Sequence, residues 1–154
     1  MKARSAVWVS ILGCTAVLSL ASSCGDDHGS CGTAATVNVT LREFMVTPDR
    51  PSAPQGNITF HVANAGTEDH EFLVLRTDLP ADALPQNEDG SYMEDGPGTE
   101  LIDEIEEFPA GTSEDLTLSL AAGDYVLLCN RVEIDDDEVE AHYALGMFAA
   151  FTVQ

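Results

Sequence analysis

The sequence predicts an all-β fold, an antiparallel β-sandwich or barrel of about six or seven short strands. From residue 36 onward, apolar and polar residues alternate with a period of two, which is typical of strands with one buried face. The clearest runs are 37–41, 58–62 and 116–120. Gly, Pro and Asn residues separate these runs, as they do in turns. A length of 154 residues with a hydrophobic fraction of 44% fits a single domain, 36–154.

The N-terminus has the layout of a signal peptide, residues 1–23. Lys2 and Arg4 precede an apolar run, 6–21, and small residues follow it. The segment that ends in Cys24 resembles the processing box of bacterial lipoproteins, in which the cysteine becomes the lipidated N-terminus. We therefore expect an exported protein held by a lipid on Cys24 to a membrane of the cell envelope, facing the periplasm or the exterior. Simple secretion and an uncleaved anchor are the alternatives, since about 20 apolar residues span a bilayer.

Residues 24–35 are small and polar without periodicity, which is the composition of a flexible tether. His28 and Cys31 are metal-ligand types, but two such residues on a linker are weak evidence for a metal-binding hook. In the second strand, alternation places His61 opposite the apolar face of Ile58, Phe60 and Val62. We expect His61 to be exposed and not to bind metal.

Residues 77–108 interrupt the strand pattern and predict a short helical or irregular insertion across one side of the sandwich. Asp78 is suited to cap a helical turn that has Pro80 in its first turn. Leu101, Ile102, Ile105 and Phe108 then recur at helical spacing, although Ile and Phe also suit a strand.

A formal net charge of −21 excludes nucleic acid as a natural partner, because binding a phosphate backbone requires a basic face. An acidic surface favours a basic protein partner, mainly through the association rate. Plain solubility explains the same composition equally well.

The last thirty residues carry the candidate chemistry. Cys129 ends the apolar run 125–128, and His142 and Met147 follow an acidic segment. A thiolate, two imidazoles and a weakly bound thioether form a mononuclear copper electron-transfer site, and His70 is the candidate second imidazole. A zinc site would leave Met147 without a role, and a Cys/His nucleophile lacks a recognisable oxyanion hole or protease signature. Each residue alone also fits simple core or edge packing.

These segments resemble the cupredoxins, the superfamily of plastocyanin and azurin. The run 123–130 ending in Cys129-Asn130, then His142-Tyr143 and Gly146-Met147 before a closing strand, is similar to the family's C-terminal signature. Residues 64–72 are similar to its segment around the first histidine. The resemblance covers 36–154 and implies a Greek-key β-sandwich with a type 1 copper at one end.

By this resemblance the copper ligands are His70, Cys129, His142 and the axial Met147, and Asn130 is a residue whose hydrogen bonds steady the ligand loop. The implied function is one-electron transfer without enzymatic turnover, with a redox protein such as a basic c-type cytochrome as partner. A copper-binding or delivery protein of the envelope is the alternative.

The segment from Asn130 to Ala141 is longer than the ligand loop of many small cupredoxins, and it is acidic across 133–140. Doubling a loop adds only about 0.6 kcal/mol of closure cost, so the insertion does not forbid the site. Asp135, Asp136, Asp137 and Glu138 form a candidate docking rim for a basic partner. A solvated loop without a role and a divalent-cation or copper-acquisition site are the alternatives.

Overall fold

The computed structural model of the chain describes residues 34–135 and 138–154. Within these residues the secondary structure is entirely β. The strands are β1 Ala35–Arg42, β2 Met45–Pro48, β3 Ser52–Ala53, β4 Gly56–Asn64, β5 His70–Thr77, β6 Thr99–Phe108, β7 Ser113–Leu120, β8 Gly123–Leu128, β9 Val132–Asp135, β10 Glu138–Ala141 and β11 Phe148–Val153. No helix in this part of the chain is long and apolar enough to cross a membrane.

Two sheets form a sandwich, which confirms the predicted all-β fold. One sheet has the order β2-β1-β4-β7 and the other β3-β11-β8-β5-β6, while β9 and β10 pair as a separate hairpin. Most neighbours are antiparallel. Two pairs, β1 with β4 and β3 with β11, are parallel, because the chain crosses between the sheets before each second strand is laid down.

The core lies between the sheets and follows the period-two pattern. Val37, Val39 and Leu41 of β1 and Ile58, Phe60 and Val62 of β4 are buried. Phe60 joins the two sheets, since its ring lies 5.6 Å from that of Phe72 and 5.7 Å from that of Phe151. His61 is on the opposite face as expected, with its side chain 48% exposed and its Nδ1 2.6 Å from the Asp115 carboxylate.

The predicted helical character of the insertion is wrong. The residues that suggested a helix, Leu101, Ile102, Ile105 and Phe108, belong to strand β6. Its register with β5 shifts twice, between His70 and Phe72 and between Val74 and Leu75. Each bulge adds an unpaired residue and turns the following side chains to the other face, so the inward residues Ile102, Ile105 and Phe108 recur every three positions instead of every two, while Leu101 packs on the outer face.

The remainder of the insertion is irregular and packs on the outer face of the larger sheet. A single turn, closed by the Ala83 N–H bond to Pro80 O at 2.9 Å, stands where a helical turn was expected. Leu84 and Tyr92 are buried in a second core cluster with Tyr143. The Tyr143 hydroxyl donates to Ala81 O at 2.9 Å and accepts from Leu84 N at 3.0 Å. This packing ties the insertion to the loop that carries His142.

Candidate metal centre

Strand pairing brings the four candidate ligands to one end of the larger sheet. His70 is the first residue of β5 and Cys129 follows β8, and these strands are antiparallel neighbours. Because β11 pairs with the other side of β8, Met147 lies beside Cys129, whose N–H donates to Met147 O at 3.0 Å. The loop between β10 and β11 is held tightly by the Met147 N–H bond to His142 O at 3.0 Å.

Three donor atoms converge in a closed pocket. His70 Nδ1 lies 3.3 Å from His142 Nδ1, and Cys129 Sγ lies 3.4 Å from the same His142 atom. The donor atoms of all three residues lie within 4.8 Å of one another. His70, Cys129, His142 and Met147 each have no solvent exposure. Cys129 is also the one cysteine within the described residues, and it is free.

These separations fit ligands of a shared metal ion. Bonds of about 2.0 Å to imidazole nitrogen and about 2.3 Å to thiolate sulfur put trigonal ligand atoms roughly 3.5 to 3.7 Å apart. The observed distances of 3.3 and 3.4 Å are close to these values. Hydrogen bonding explains this arrangement less well than a shared metal ion does. Two facing imidazole nitrogens and a thiol would leave most donors and acceptors poorly matched. A buried set of two histidines, a cysteine and a methionine is typical of a type 1 copper site.

Burial favours the protonated thiol of Cys129, whereas nearby backbone N–H groups favour its thiolate. Burial raises the pKa of Cys129 to about 11, and backbone hydrogen bonds from Arg131 and Glu71 oppose that rise. The Glu71 N–H lies 3.3 Å from Sγ. A donor directed at the sulfur favours its anionic form, which is the form that binds a metal.

Both imidazoles are neutral near pH 7, as metal ligands must be. Burial, followed by the charges of His70 and Arg131, lowers the pKa of His142 to about 4. Burial also lowers the pKa of His70, despite the opposing charge of Glu43. The Nδ1 lone pairs are therefore available without loss of a proton.

Two carboxylates lie behind the imidazoles, on the side away from the pocket. Glu43 Oε1 is 3.6 Å from His70 Nε2, and Glu68 Oε2 is 3.6 Å from His142 Nε2. Burial acts to raise the pKa of Glu43, but backbone N–H donors from Glu43 itself, Thr67 and Glu68 hold that pKa at about 2. Burial and the charges of Glu140 and Glu43 raise the pKa of Glu68.

Sequence reasoning missed both carboxylates as parts of the site. Glu68 stands two positions before His70, and that proximity was the available signal. Glu43 is remote in sequence and reaches the site through the turn between β1 and β2. Its carboxylate accepts from Glu68 N at 3.0 Å and also from Thr67 N. Gly66 makes this approach possible, because a Cβ there would overlap the Glu43 carboxylate and lie 2.9 Å from His70 Nε2.

The acidic segment after Cys129 is a hairpin and not an open loop. Strands β9 and β10 pair from Val132 opposite Ala141 to Asp135 opposite Glu138. Phe44 packs on the histidine, with its ring 5.3 Å edge-on from that of His142, and Glu140 of the hairpin has a carboxylate oxygen within 4.8 Å of a His142 ring nitrogen. Glu138 is exposed, whereas Asp136, Asp137 and the side chain of Asp135 lie outside the described residues. Ile134 and Val139 are 74% and 51% exposed on the hairpin.

Asn130 fastens the ligand loop to the insertion. Its Oδ1 accepts from Tyr92 N at 2.7 Å and its Nδ2 donates to Tyr92 O at 3.1 Å. This two-way pairing of a side-chain amide with a backbone amide fixes the exit of the chain from Cys129. Cys24, the candidate lipidation site, lies outside the described residues, as do residues 1–23 and most of the tether.

No family model matches the chain, and no curated protein sequence matches it. Solved structures do match. The reduced auracyanin of the photosynthetic bacterium Roseiflexus castenholzii has a TM-score of 0.53 and 21% identity over 80% of this chain and 98% of its own. Auracyanin B has a TM-score of 0.50 and 20% identity over 78% of this chain and 88% of its own. Reduced rusticyanin, solved by NMR, has a TM-score of 0.50 and 17% identity over 77% of each chain.

At these identities the likeness concerns the fold. The chain has the cupredoxin fold, a two-sheet β-sandwich. At one end of it lies a buried set of His70, Cys129, His142 and Met147 with the composition of a type 1 copper site.

Proposed function

We propose that this protein is a one-electron carrier of the cell envelope, with a single type 1 copper that would be held by His70, Cys129, His142 and Met147. One observation carries the proposal: two imidazole Nδ1 atoms and one thiol converge in a fully buried pocket at the end of a cupredoxin fold. When bound, copper would supply the one-electron couple. The protein would not act as an enzyme.

The chain's own residues support this role. Cys129 gives up its proton on metal binding, and the Glu71 N–H stabilises the resulting thiolate. His70 and Cys129 are fixed to neighbouring strands, and Met147 is tied to both Cys129 and His142 by backbone hydrogen bonds. A ligand set held this firmly rearranges little between oxidation states, which favours rapid electron transfer.

Burial of the ligands favours a carrier over a delivery protein. A delivery protein must release its ion to an acceptor, which requires at least one accessible ligand. Here His142 has no solvent exposure, and it lies against Phe44 and near Glu140 of the hairpin. Slow metal exchange is the expected consequence.

The proposal also includes where the protein is located and which kind of redox partner it uses. A lipid on Cys24 would tether the domain through residues 24–35 to a membrane of the cell envelope. The redox partner would be a basic protein such as a c-type cytochrome, because the formal net charge is −21 and Glu138 lies exposed on the hairpin next to the site. Nucleic acid is not a partner on the same charge argument.

The test is the optical and electron paramagnetic resonance spectrum of the full chain after copper addition. We expect an intense thiolate-to-copper band and loss of that band in Cys129→Ser. His61→Gln is the matched control, since His61 is an exposed histidine outside the site, and it should retain the band. A folded wild-type chain without the band would contradict the copper site.

Redox cycling then separates the two functions. A carrier is oxidised and reduced repeatedly while it retains its copper. Loss of copper to an acceptor in each cycle would instead favour delivery.

A further inference from the structure

A second group of metal-ligand atoms lies directly behind His142. One carboxylate oxygen each from Glu68 and Glu140 and one ring nitrogen of His142 all lie within 4.8 Å of one another. The nitrogen that faces Glu68 is Nε2, at 3.6 Å. None of them belongs to the inner pocket, which uses Nδ1 of His142 and the Cys129 sulfur. The imidazole of His142 therefore separates two clusters of donors.

Two atoms of this group are buried and have no hydrogen-bond partner. His142 Nε2 and Glu68 Oε2 face each other at 3.6 Å, and neither bonds to any other group. A direct N–H···O bond would be about 2.7 to 3.2 Å long. Tetrahedral ligands with metal bonds of about 2.0 to 2.2 Å lie roughly 3.3 to 3.5 Å apart, so 3.6 Å is closer to the spacing around a shared cation.

The pair of Glu43 and His70 differs in one respect from the pair of Glu68 and His142. Glu43 also lies 3.6 Å from its histidine, but its carboxylate already accepts from backbone N–H groups of Thr67 and Glu68. Glu43 thus has a structural use, whereas Glu68 Oε2 has none. The contrast singles out the His142 side as the candidate site.

Charge around the group also favours a cation. Carboxylate oxygens of Glu68 and Glu140 lie within 4.8 Å of each other, so two acidic side chains share one side of His142. The nearby arginine, Arg131, is paired with Glu107 and Glu133 instead. In the described part of the chain, Glu68 and Glu140 form no ion pair with lysine or arginine. Both side chains are partly exposed, but Oε2 of Glu68 is buried without a partner, and a bound cation would satisfy it and offset the repulsion between the two carboxylates.

We propose that Glu68, Glu140 and Nε2 of His142 form a second site, which binds a zinc-type divalent cation. Imidazole nitrogen and carboxylate oxygens are ligands that zinc accepts. His142 would then be shared, with Nδ1 toward the inner site and Nε2 toward the outer one, after loss of its second ring proton. Binding of the outer ion thus changes the electron density that His142 offers the inner site.

Zn²⁺ titration of the full chain, already loaded with copper, tests the proposal. We expect one equivalent of Zn²⁺ to bind by calorimetry, together with a shift of the thiolate-to-copper band. Glu140→Gln should weaken Zn²⁺ binding by at least about tenfold and abolish the shift. Glu138→Gln is the matched control, since it removes an equal charge from the exposed part of the same strand, and it should bind Zn²⁺ like the wild type.

Other results overturn the proposal. Absence of a bound equivalent, or equal Zn²⁺ affinity in Glu140→Gln and Glu138→Gln, would reduce the group to acidic side chains that lie near His142 without binding a cation. The copper function is judged separately. If the wild type shows no thiolate-to-copper band, Zn²⁺ titration of Cys129→Ser with and without Glu140→Gln still measures the outer site, because Cys129 is not one of its ligands.

Discussion

Glu43 shows how one carboxylate shapes the end of the molecule that carries His70. It accepts from the N–H groups of Thr67 and Glu68 and lies 3.6 Å from His70 Nε2, with its side chain 25% exposed. Hydrogen bonds to a charged group contribute about 1.5 to 3 kcal/mol when they are formed away from water. The loop before β5 has no other side-chain acceptor for these two donors within the described residues.

Glu43→Ala should therefore lower the free energy of unfolding by about 1 to 3 kcal/mol. Glu43→Gln should cost less, because its amide oxygen still accepts. Urea unfolding of the full metal-free chain measures both. Glu114→Gln, at an exposed position of β7, should stay within about 0.5 kcal/mol of the wild type. Equal stabilities for Glu43→Ala and Glu114→Gln would show that the loop holds itself without the carboxylate.

At the level of elements, the hairpin lies beside His142 without supplying any of the four candidate copper ligands. Removing residues 133–140 and joining Val132 to Ala141 through an Asn-Gly turn preserves a native cross-strand pair. Halving the loop changes its closure cost by only about 0.6 kcal/mol. We expect the copper spectrum to remain and copper loss to a chelator to become faster, because the shortened chain lacks the segment that lies beside His142. The paired variant Ile134→Ser, Val139→Ser retains the hairpin backbone and should retain the wild-type rate. Unchanged copper loss in the shortened chain would assign the cover to Phe44 alone.

Elements also explain what the sequence could and could not predict. The inward positions of β1 and β4 follow strict alternation, so their burial was predictable residue by residue. The four candidate ligands were predictable because three of them lie in one short C-terminal stretch. The strand β6 could not be predicted from the sequence, since its two bulges depend on pairing with β5. The place of Glu43 in the site could not be predicted either, since only the packed turn between β1 and β2 brings Glu43 to His70.

At the scale of the whole molecule, acidic side chains concentrate along one edge. Strand β6 is the edge of the larger sheet and carries exposed Glu100, Asp103, Glu106 and Glu107. Charges on an edge strand prevent pairing with another chain, so part of this acidity has a structural explanation. The ion pair of Glu107 with Arg131, 3.0 Å apart, connects this edge to the base of the hairpin. The acidic edge thus continues to the metal end of the molecule.

A docking role predicts that charges near the site matter more than equal charges elsewhere. The triple variant Asp136→Asn, Asp137→Asn, Glu138→Gln removes three of the six acidic side chains between residues 132 and 141. The triple variant Asp78→Asn, Glu100→Gln, Asp124→Asn removes three from the opposite end of the sheet, where β5 ends and β6 and β8 begin. Stopped-flow reduction of a basic c-type cytochrome by the copper-loaded chain compares the two triple variants as salt is raised.

At low salt we expect reduction by the first triple, in the hairpin, to be several-fold slower and less sensitive to salt than reduction by the second triple, at the distal end. The difference should fade near physiological ionic strength, where the Debye length is about 8 Å. Equal slowing by both triples would mean that net charge alone steers association, and unchanged rates in the hairpin triple would remove the docking role from it.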